Sequence, residues 1–565
     1  MERNRLRAPE SSGAVLAAPG LDQVETLLAS NRTMLESWHY DFQGRPATWL
    51  RGMTRDHVLS AARSYTAEIG AQTDGQPSAQ AQPDAADHQS AISSGPQHST
   101  FDPRPSPPLL LTGHQPELFH PGVWIKNFAS HQLALRHGGV SLHLIVDNDT
   151  VKKTTVRAPT GSLAQPSVVH IPFDRWRGEI PFEEYEVDDE SLFKSFGQRL
   201  ESALEPLGIE PLSRSFWPIA IESASQTKRL AGRITAARHR QEASWGCHNL
   251  ELPVSRLCQT EGFHWFACHV LAQLSRFRNV YNEALDEYRR RNRIRSRNHP
   301  VPSLHKDGEW LEAPFWVWTT DRPRRRQLFA LQQGCNLVLS DRDQWTATLP
   351  LAPDREACCA VEVLAELGRQ GIKIRTRALT TTIFTRLCLA DLFIHGLGGA
   401  RYDELADAII RRFFGLGPPR FLTLTGTLHL PLPRRDATIE KARQLDRLLR
   451  DLTYNPDRHL NAPGNLNSLV TFLVEEKRRA ILEETSTRAE SRRRFEHIRS
   501  LNDQLAPFVD CLRTETTAQL GTLQADLAAN AIFQNREWAF CVYPESTLRN
   551  FVNCIRPLSA TADLL

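Results

Sequence analysis

Two short stretches hold the residue types and spacing that chemistry needs. The first is Thr112-Gly113-His114-Gln115-Pro116-Glu117-Leu118-Phe119-His120-Pro121-Gly122, followed by Lys126. It joins an apolar run, Pro108-Leu109-Leu110-Leu111, to a segment of helical character that ends at Gly138-Gly139. Two imidazoles (His114 and His120), the Gln115 amide and Lys126 thus gather at a helix start, where the helix dipole favours an anion. Such a set suits phosphate chemistry, including stabilisation of charge on a transferring nucleotide. The stretch contains no Gly-Lys-Ser/Thr, so it is not a Walker loop. A plainer alternative is a tight turn whose His and Gln only cap the helix. The second stretch is Asp147-Asn148-Asp149, at the end of Ser141-Leu142-His143-Leu144-Ile145-Val146. Strand alternation puts both carboxylates on one side, fit to hold an amine, a ribose hydroxyl pair or a hydrated Mg²⁺. Its plainer alternative is an Asx-rich turn.

The elements that must position these residues follow from periodicity. Strand, turn, helix and strand succeed one another over residues 109–146, a βαβ unit that implies a parallel sheet wound on both faces. Ligands of such sheets bind at the carboxyl ends of the strands, where both stretches lie. A second glycine turn, Gly396-Leu397-Gly398-Gly399, opens another helix, and sheet-like runs occur at 315–318, 337–339 and 372–384. The spacing of Ile439, Ala442, Leu445, Leu448 and Leu452 predicts helices. So does that of Leu466, Leu469 and Leu473, of Phe495, Ile498, Leu501 and Leu505, and of Leu520, Leu523 and Leu527. Together they read as an antiparallel coiled coil broken at Asn461-Ala462-Pro463-Gly464, with Leu445, Leu473, Ile498 and Leu523 facing its seam.

The expected organisation is an N-terminal helical segment over 1–70 and a disordered linker over 71–107. A core then begins over 108–158, is interrupted by a mostly helical insertion over 159–256 and resumes over 257–435. The coiled coil covers 436–530, and a C-terminal segment, 531–565, packs on the core. The aromatics Trp38, Tyr40, Phe42 and Trp49 are expected to dock the N-terminal segment onto the main body. The linker assignment rests on a Gln, Ser, Pro and Ala composition that lacks large apolar residues.

In order along the chain, these pieces resemble the cysteine-adding enzymes of bacillithiol biosynthesis. Thr112-Gly113-His114-Gln115 with Leu118, Gly122 and Lys126 is similar to that family's Thr-Gly-Gln-Gln opening. Asp147-Asn148-Asp149 is similar to its Glu-Asp-His-Asp strand end. Ile374-Arg375-Thr376-Arg377-Ala378-Leu379, Gly398-Gly399-Ala400-Arg401-Tyr402-Asp403-Glu404-Leu405 and Tyr543-Pro544-Glu545 resemble later motifs. The departures are His114 in place of a Gln, Asn148 in place of a His, and an altered order of Glu and Tyr after the glycine pair.

The resemblance implies an α/β fold with a Rossmann-like parallel sheet core similar to class I aminoacyl-tRNA synthetases, a helical insertion and the coiled coil. It implies nucleotide-dependent condensation of cysteine, or a related amino acid, with a small amino-sugar acceptor. The cofactor would be ATP or another nucleotide. In this reading His114, Gln115 and Lys126 form the catalytic set, and Gly113, Gly122, Gly398 and Gly399 give backbone access to the nucleotide. Asp147 and Asp149 hold the substrate amine, while Arg375, Arg377, Tyr402 and Glu404 line the facing wall. The rival is a catalytically silent protein that binds a nucleotide or small acid and uses its coiled coil for interactions.

Composition narrows the field. Sixty-eight Lys+Arg against 65 Asp+Glu leave a net charge of +3 over 565 residues, which disfavours a dedicated nucleic-acid binder. No apolar run is long enough for a membrane span or a secretion signal. Ten scattered cysteines without a Cys-x-x-Cys suit reduced thiols in the cytoplasm and offer no metal site. The expected partners are small-molecule substrates, with a second copy of the chain paired through the coiled coil.

Overall fold

Leu109, Leu110 and Leu111 are all fully buried, and successive side chains enter different cores. That is the signature of a strand covered on both faces, and it explains why the run is uniformly apolar instead of alternating. A computed structural model describes residues 6–70, 106–460 and 468–555, and the expected linker and the break at 461–464 lie outside these residues, apart from 106 and 107. The chain is a mixed α/β protein built on a six-stranded sheet. Its strands are β1 (Val15–Ala18), β2 (Leu109–His114), β3 (Val140–Ile145), β6 (Leu250–Pro253), β13 (Leu392–His395) and β14 (Phe421–Gly426). They lie in the order β1-β14-β13-β2-β3-β6, parallel throughout except for β1, which is antiparallel to β14. The helix Pro121–Arg136 buries Trp124, Ile125 and Phe128 in one core, and the helix Leu397–Ile409 buries Leu405, Ala406 and Ile409 in the other.

The N-terminal segment contributes more than helices, because β1 extends the sheet at its β14 edge. Trp38 and Phe42 are buried as expected of docking aromatics, whereas Trp49 stays exposed beside Arg45. The segment 159–256 likewise departs from a purely helical insertion. A hairpin, β4 (Thr155–Gly161) with β5 (Pro166–Pro172), precedes the helices Glu190–Leu204, Ser213–Glu222 and Leu230–Ser244, and β6 then rejoins the main sheet. β6 hides from an apolar pattern because Glu251 sits at its centre. That carboxylate is fully buried, paired with Arg238 at 2.7 Å and hydrogen-bonded to His143 at 2.9 Å.

A second sheet is wholly antiparallel and lies outside the parallel one. Its strands are β7 (Lys306–Asp307), β8 (Trp310–Thr319), β9 (Arg322–Gln333), β10 (Asn336–Ser340), β11 (Thr346–Leu349) and β12 (Ile372–Thr376). They run in the order β11-β10-β9-β8-β12, with β7 on β8. The sheet-like run at 372–384 ends at Thr376, and the helix Ala378–Cys388 follows. Thr381, Thr382 and Thr385 are strand formers by propensity. Here their hydroxyls bond back to the carbonyls of Arg377, Ala378 and Thr381, which a helix allows.

The C-terminal helices form an arm. Ile439–Tyr454 packs along Asp510–Phe533, and Ser468–Leu482 packs against Arg488–Leu505. Its small core is Val470, Leu473, Ala480, Leu501 and Leu505. Leu473 is buried as the stripe requires, but Leu445, Ile498 and Leu523 are only half-buried, and Ile439, Leu469 and Phe495 face solvent. The expected seam is therefore corrected: Leu445, Ile498 and Leu523 lie at the margin of the helix contacts, and the first stripe residue of each of three helices, Ile439, Leu469 and Phe495, turns outward.

Candidate functional site

The strand order fixes where a ligand would enter. From β2 the chain moves outward to β3 and then β6, and it later returns to the other side of β2 as β13 and then β14. The helix after β2 covers one face of the sheet and the helix after β13 covers the other. The carboxyl ends of β2 and β13 thus flank the point where the winding reverses, the usual crevice of such sheets.

Lys126 occupies this crevice. It is 3% exposed, and its Nζ donates to the Gly113 carbonyl at 3.2 Å. Helical side chains lean toward the N-terminus, which carries the Lys126 stem back over its own first turn. On the β13 side, a Cβ placed on Gly396 would lie 4.0 Å from Lys126 Cδ and Cε. Gly396 begins the helix Leu397–Ile409 without a side-chain cap, so the positive end of that helix meets the lysine. Among the described residues Lys126 has no ion pair, and burial lowers its ammonium to about 8. The arrangement is cationic and lacks a counter-ion.

The helix that carries Lys126 is closed at its own start. Pro121 takes the first helical position, and His120 is the N-cap, its Nδ1 accepting the Gly122 N–H at 3.1 Å and its carbonyl accepting from Val123 and Trp124. The first-turn amides expected to meet a phosphate are therefore spent on His120. Gly122 is required for contact, since a Cβ there would come within 2.2 Å of the Gly426 carbonyl and 2.7 Å of Arg536 Nη2. Arg536 enters from the C-terminal segment and donates to Thr425 Oγ1 at 3.1 Å and to the Gly426 carbonyl at 2.9 Å.

The other expected residues divide between different surroundings. His114 remains beside the mouth, its ring edge on Phe119 at 4.9 Å. Burial first, and then the Lys126 charge, lower its imidazole to about 3, so it is neutral near pH 7. Gln115 turns toward Asp149, donating from Nε2 to Oδ2 at 3.0 Å. Asp149 also receives Arg325 at 2.9 Å and the Thr150 N–H. Burial opposes its ionised form, but Arg325 and Gln115 outweigh that and hold the carboxyl below the usual range.

Asp147 points elsewhere, to the N–H and hydroxyl of Ser255 beyond β6. Burial, reinforced by Glu183, raises it to about 7. The expected pair of carboxylates open to a substrate amine is thus corrected. The chain leaves the strand at Ile145, so period-two alternation does not extend to 147 and 149.

The expected facing wall is met in part: Asn148 donates to the Thr376 carbonyl at 2.7 Å, which sets Arg375 and Arg377 against the turn of Asp147 and Asp149, whereas Tyr402 and Glu404 lie elsewhere. Arg375 makes a two-pronged ion pair with Glu183, at 2.8 and 2.9 Å. Arg377 pairs with Glu312 at 2.7 Å and lies over Trp316, leaving its buried Nε and Nη1 without partners. Tyr402 meets His299, and Glu404 lines a separate hollow against Tyr288 and Arg291. Gly113 packs closely on Leu144 and Gly399 on His395, while Gly398 is open. These backbones are shaped by protein neighbours, Gly398 excepted.

Sequence reasoning missed three contributors. His395, at the end of β13, is held by Asp403 at 2.8 Å, and Asp403 is also paired with Arg386 at 2.8 Å. A strand-end His followed eight residues later by a helical Asp was the available signal, and Glu404 is the neighbour of that buried Asp403. Arg325 and Arg536 come from the second sheet and the C-terminal segment, and nothing local marks them. No described protein family matches this chain, and no curated protein does.

Proposed function

We propose that the chain is a nucleotide-dependent enzyme of ligase type. In this reading ATP or a related nucleotide presents phosphate to Lys126 at the β2–β13 crevice, and an amino acid such as cysteine is joined to a small amino-sugar acceptor. The observation that supports it is the Lys126 ammonium, buried at the reversal of the sheet without a counter-ion. A fixed cation in a water-poor crevice stabilises the charge that develops when a carboxylate attacks phosphorus and diphosphate leaves. His395, held by Asp403 at the end of β13, belongs to the face that the helix Leu397–Ile409 covers. The ordered motifs that resemble the cysteine-adding enzymes supply the reaction class.

A specific observation favours a second reading, a binding protein without catalysis. Asp147 and Asp149, the carboxylates expected to hold the substrate amine, are both engaged by the protein itself. One experiment separates the readings. Calorimetric titration with ATP is expected to show binding that Lys126→Met abolishes while circular dichroism stays unchanged. Diphosphate release on adding cysteine favours the ligase, and binding without release favours the silent protein. ATP binding that survives in Lys126→Met would remove the basis of both.

A further inference from the structure

We infer that the crevice is built for two linked anionic groups, a diphosphate, with Lys126 holding one phosphate and Arg536 the other. The inference rests on the anion reading of Lys126 and extends it to a second cation. Gly122 and Lys126 are four residues apart on one helix and so share a face. The point where a Gly122 Cβ would stand is 2.7 Å from Arg536 Nη2 and 2.9 Å from His120 Cε1. The guanidinium and the imidazole therefore rest against the helix one turn before the lysine, on the side of the β14 end.

The Arg536 guanidinium is held in place by neutral acceptors alone, Thr425 Oγ1 and the Gly426 carbonyl, and its buried Nε has no partner. Among the described residues neither Lys126 nor Arg536 forms an ion pair, although most buried cations here do, as Arg238, Arg375 and Arg386 illustrate. A buried lysine on this helix and a half-buried arginine resting against it, neither of them in an ion pair, favour an anion between them. His120 adds no charge of its own, because burial and then Arg536 and Lys126 lower it to about 4. It remains a neutral polar group between two phosphates, its Nδ1 already committed to Gly122. Arginine suits a phosphate through its fork, and lysine suits one as a point charge. Gly122 keeps the helix backbone close to the Gly426 carbonyl at the end of β14 on this side.

The test is calorimetric titration of the full chain with inorganic phosphate, diphosphate and succinate. Diphosphate is expected to bind at least about tenfold more tightly than phosphate, the gain a second charge-assisted contact provides. Arg536→Gln should remove that advantage while phosphate binding persists, and Arg536→Lys should restore most of it. If Arg536→Gln does not fold, as judged by its thermal transition, the comparison of ligands on the parent and on Arg536→Lys decides. Equal binding of phosphate and diphosphate, lost together in Lys126→Met, would overturn the second subsite and leave the Lys126 reading standing. Succinate binding as tightly as diphosphate would overturn the assignment to phosphates. Binding of neither phosphate nor diphosphate would overturn both readings.

Discussion

At the scale of single residues, Lys126 links stability to function. Burial lowers its ammonium from 10.5 to about 8 in the folded chain. An unfolded lysine keeps its proton to about 10.4, so between these values the unfolded chain holds more protons and stability rises with pH. Below about pH 8 both states are protonated, and the charged lysine costs folding a constant amount, on the order of 3 kcal/mol. Lys126→Met should therefore raise the denaturant midpoint at pH 7 in the absence of ligand and flatten the rise between pH 8 and 10. Parallel pH profiles for parent and variant would show that the lysine is solvated and not at the site described. The neighbouring groups follow the same physics with other outcomes. Asp149 keeps its charge because Arg325 supplies a partner, whereas Asp147 has only Ser255 and titrates near neutrality.

At the scale of elements, the arm shows how far periodicity carries. Helix existence was legible between Ile439 and Phe533, since charges fill the gaps between apolar residues at three-to-four spacing. Which apolar residues meet was not, because the spacing describes a face and not its partner. Leu505 is fully buried among Val470, Leu473 and Leu501, while Phe495, on the same helix, is exposed. Leu505→Ala should cost about 2–5 kcal/mol by leaving a cavity, and Phe495→Ser should stay within about 0.5 kcal/mol. Amide exchange should localise the first loss to Ser468–Leu482 and Arg488–Leu505. Equal effects of the two substitutions on exchange would mean that the helices are rotated about their axes. The Thr-rich helix Ala378–Cys388 makes a related point, since β propensity gave way once the hydroxyls of Thr381, Thr382 and Thr385 each found a carbonyl one turn back.

At the scale of the whole molecule, residues 6–70 are part of the main body. Asp391 lies at the entry to β13 and accepts from Arg51 at 2.7 Å, from Arg55 at 2.8 Å and from the Leu109 N–H at 2.7 Å. Asn31 donates to its carbonyl. The Asp391 carboxylate joins the helix Ala47–Gly70 to the start of β2, and its carbonyl ties in the helix Val24–Glu36. Burial works against its charge, but Arg51 and Arg55 prevail and hold it below the ordinary carboxylate range. The contribution is therefore present above that range and is lost as pH falls through the depressed value. Asp391→Ala should cost about 3–5 kcal/mol, because two buried guanidinium groups lose their partner. It should also reduce the acid sensitivity of unfolding measured by circular dichroism. A variant as stable as the parent would show that residues 6–70 are held by apolar packing alone.

By itself the sequence determined the elements whose cause is local. The doubly buried strand at Leu109–Leu111, the helix after Pro121, the stop at Gly138-Gly139 and the helical arm all follow from apolar period, capping and chain stiffness. It also brought Lys126 and Gly113 to one turn, since a strand and the helix that follows it must adjoin. Only the tertiary structure decided which charges are spent. Asp147, Asp149 and Arg375 are engaged by Ser255, Arg325 and Glu183, each more than 100 residues distant in the chain. Lys126 and Arg536 are left without an opposite charge. A side chain's availability is a property of its neighbours, and those neighbours arrive by topology: the return of the chain as β13 and β14, and the late entry of Arg536.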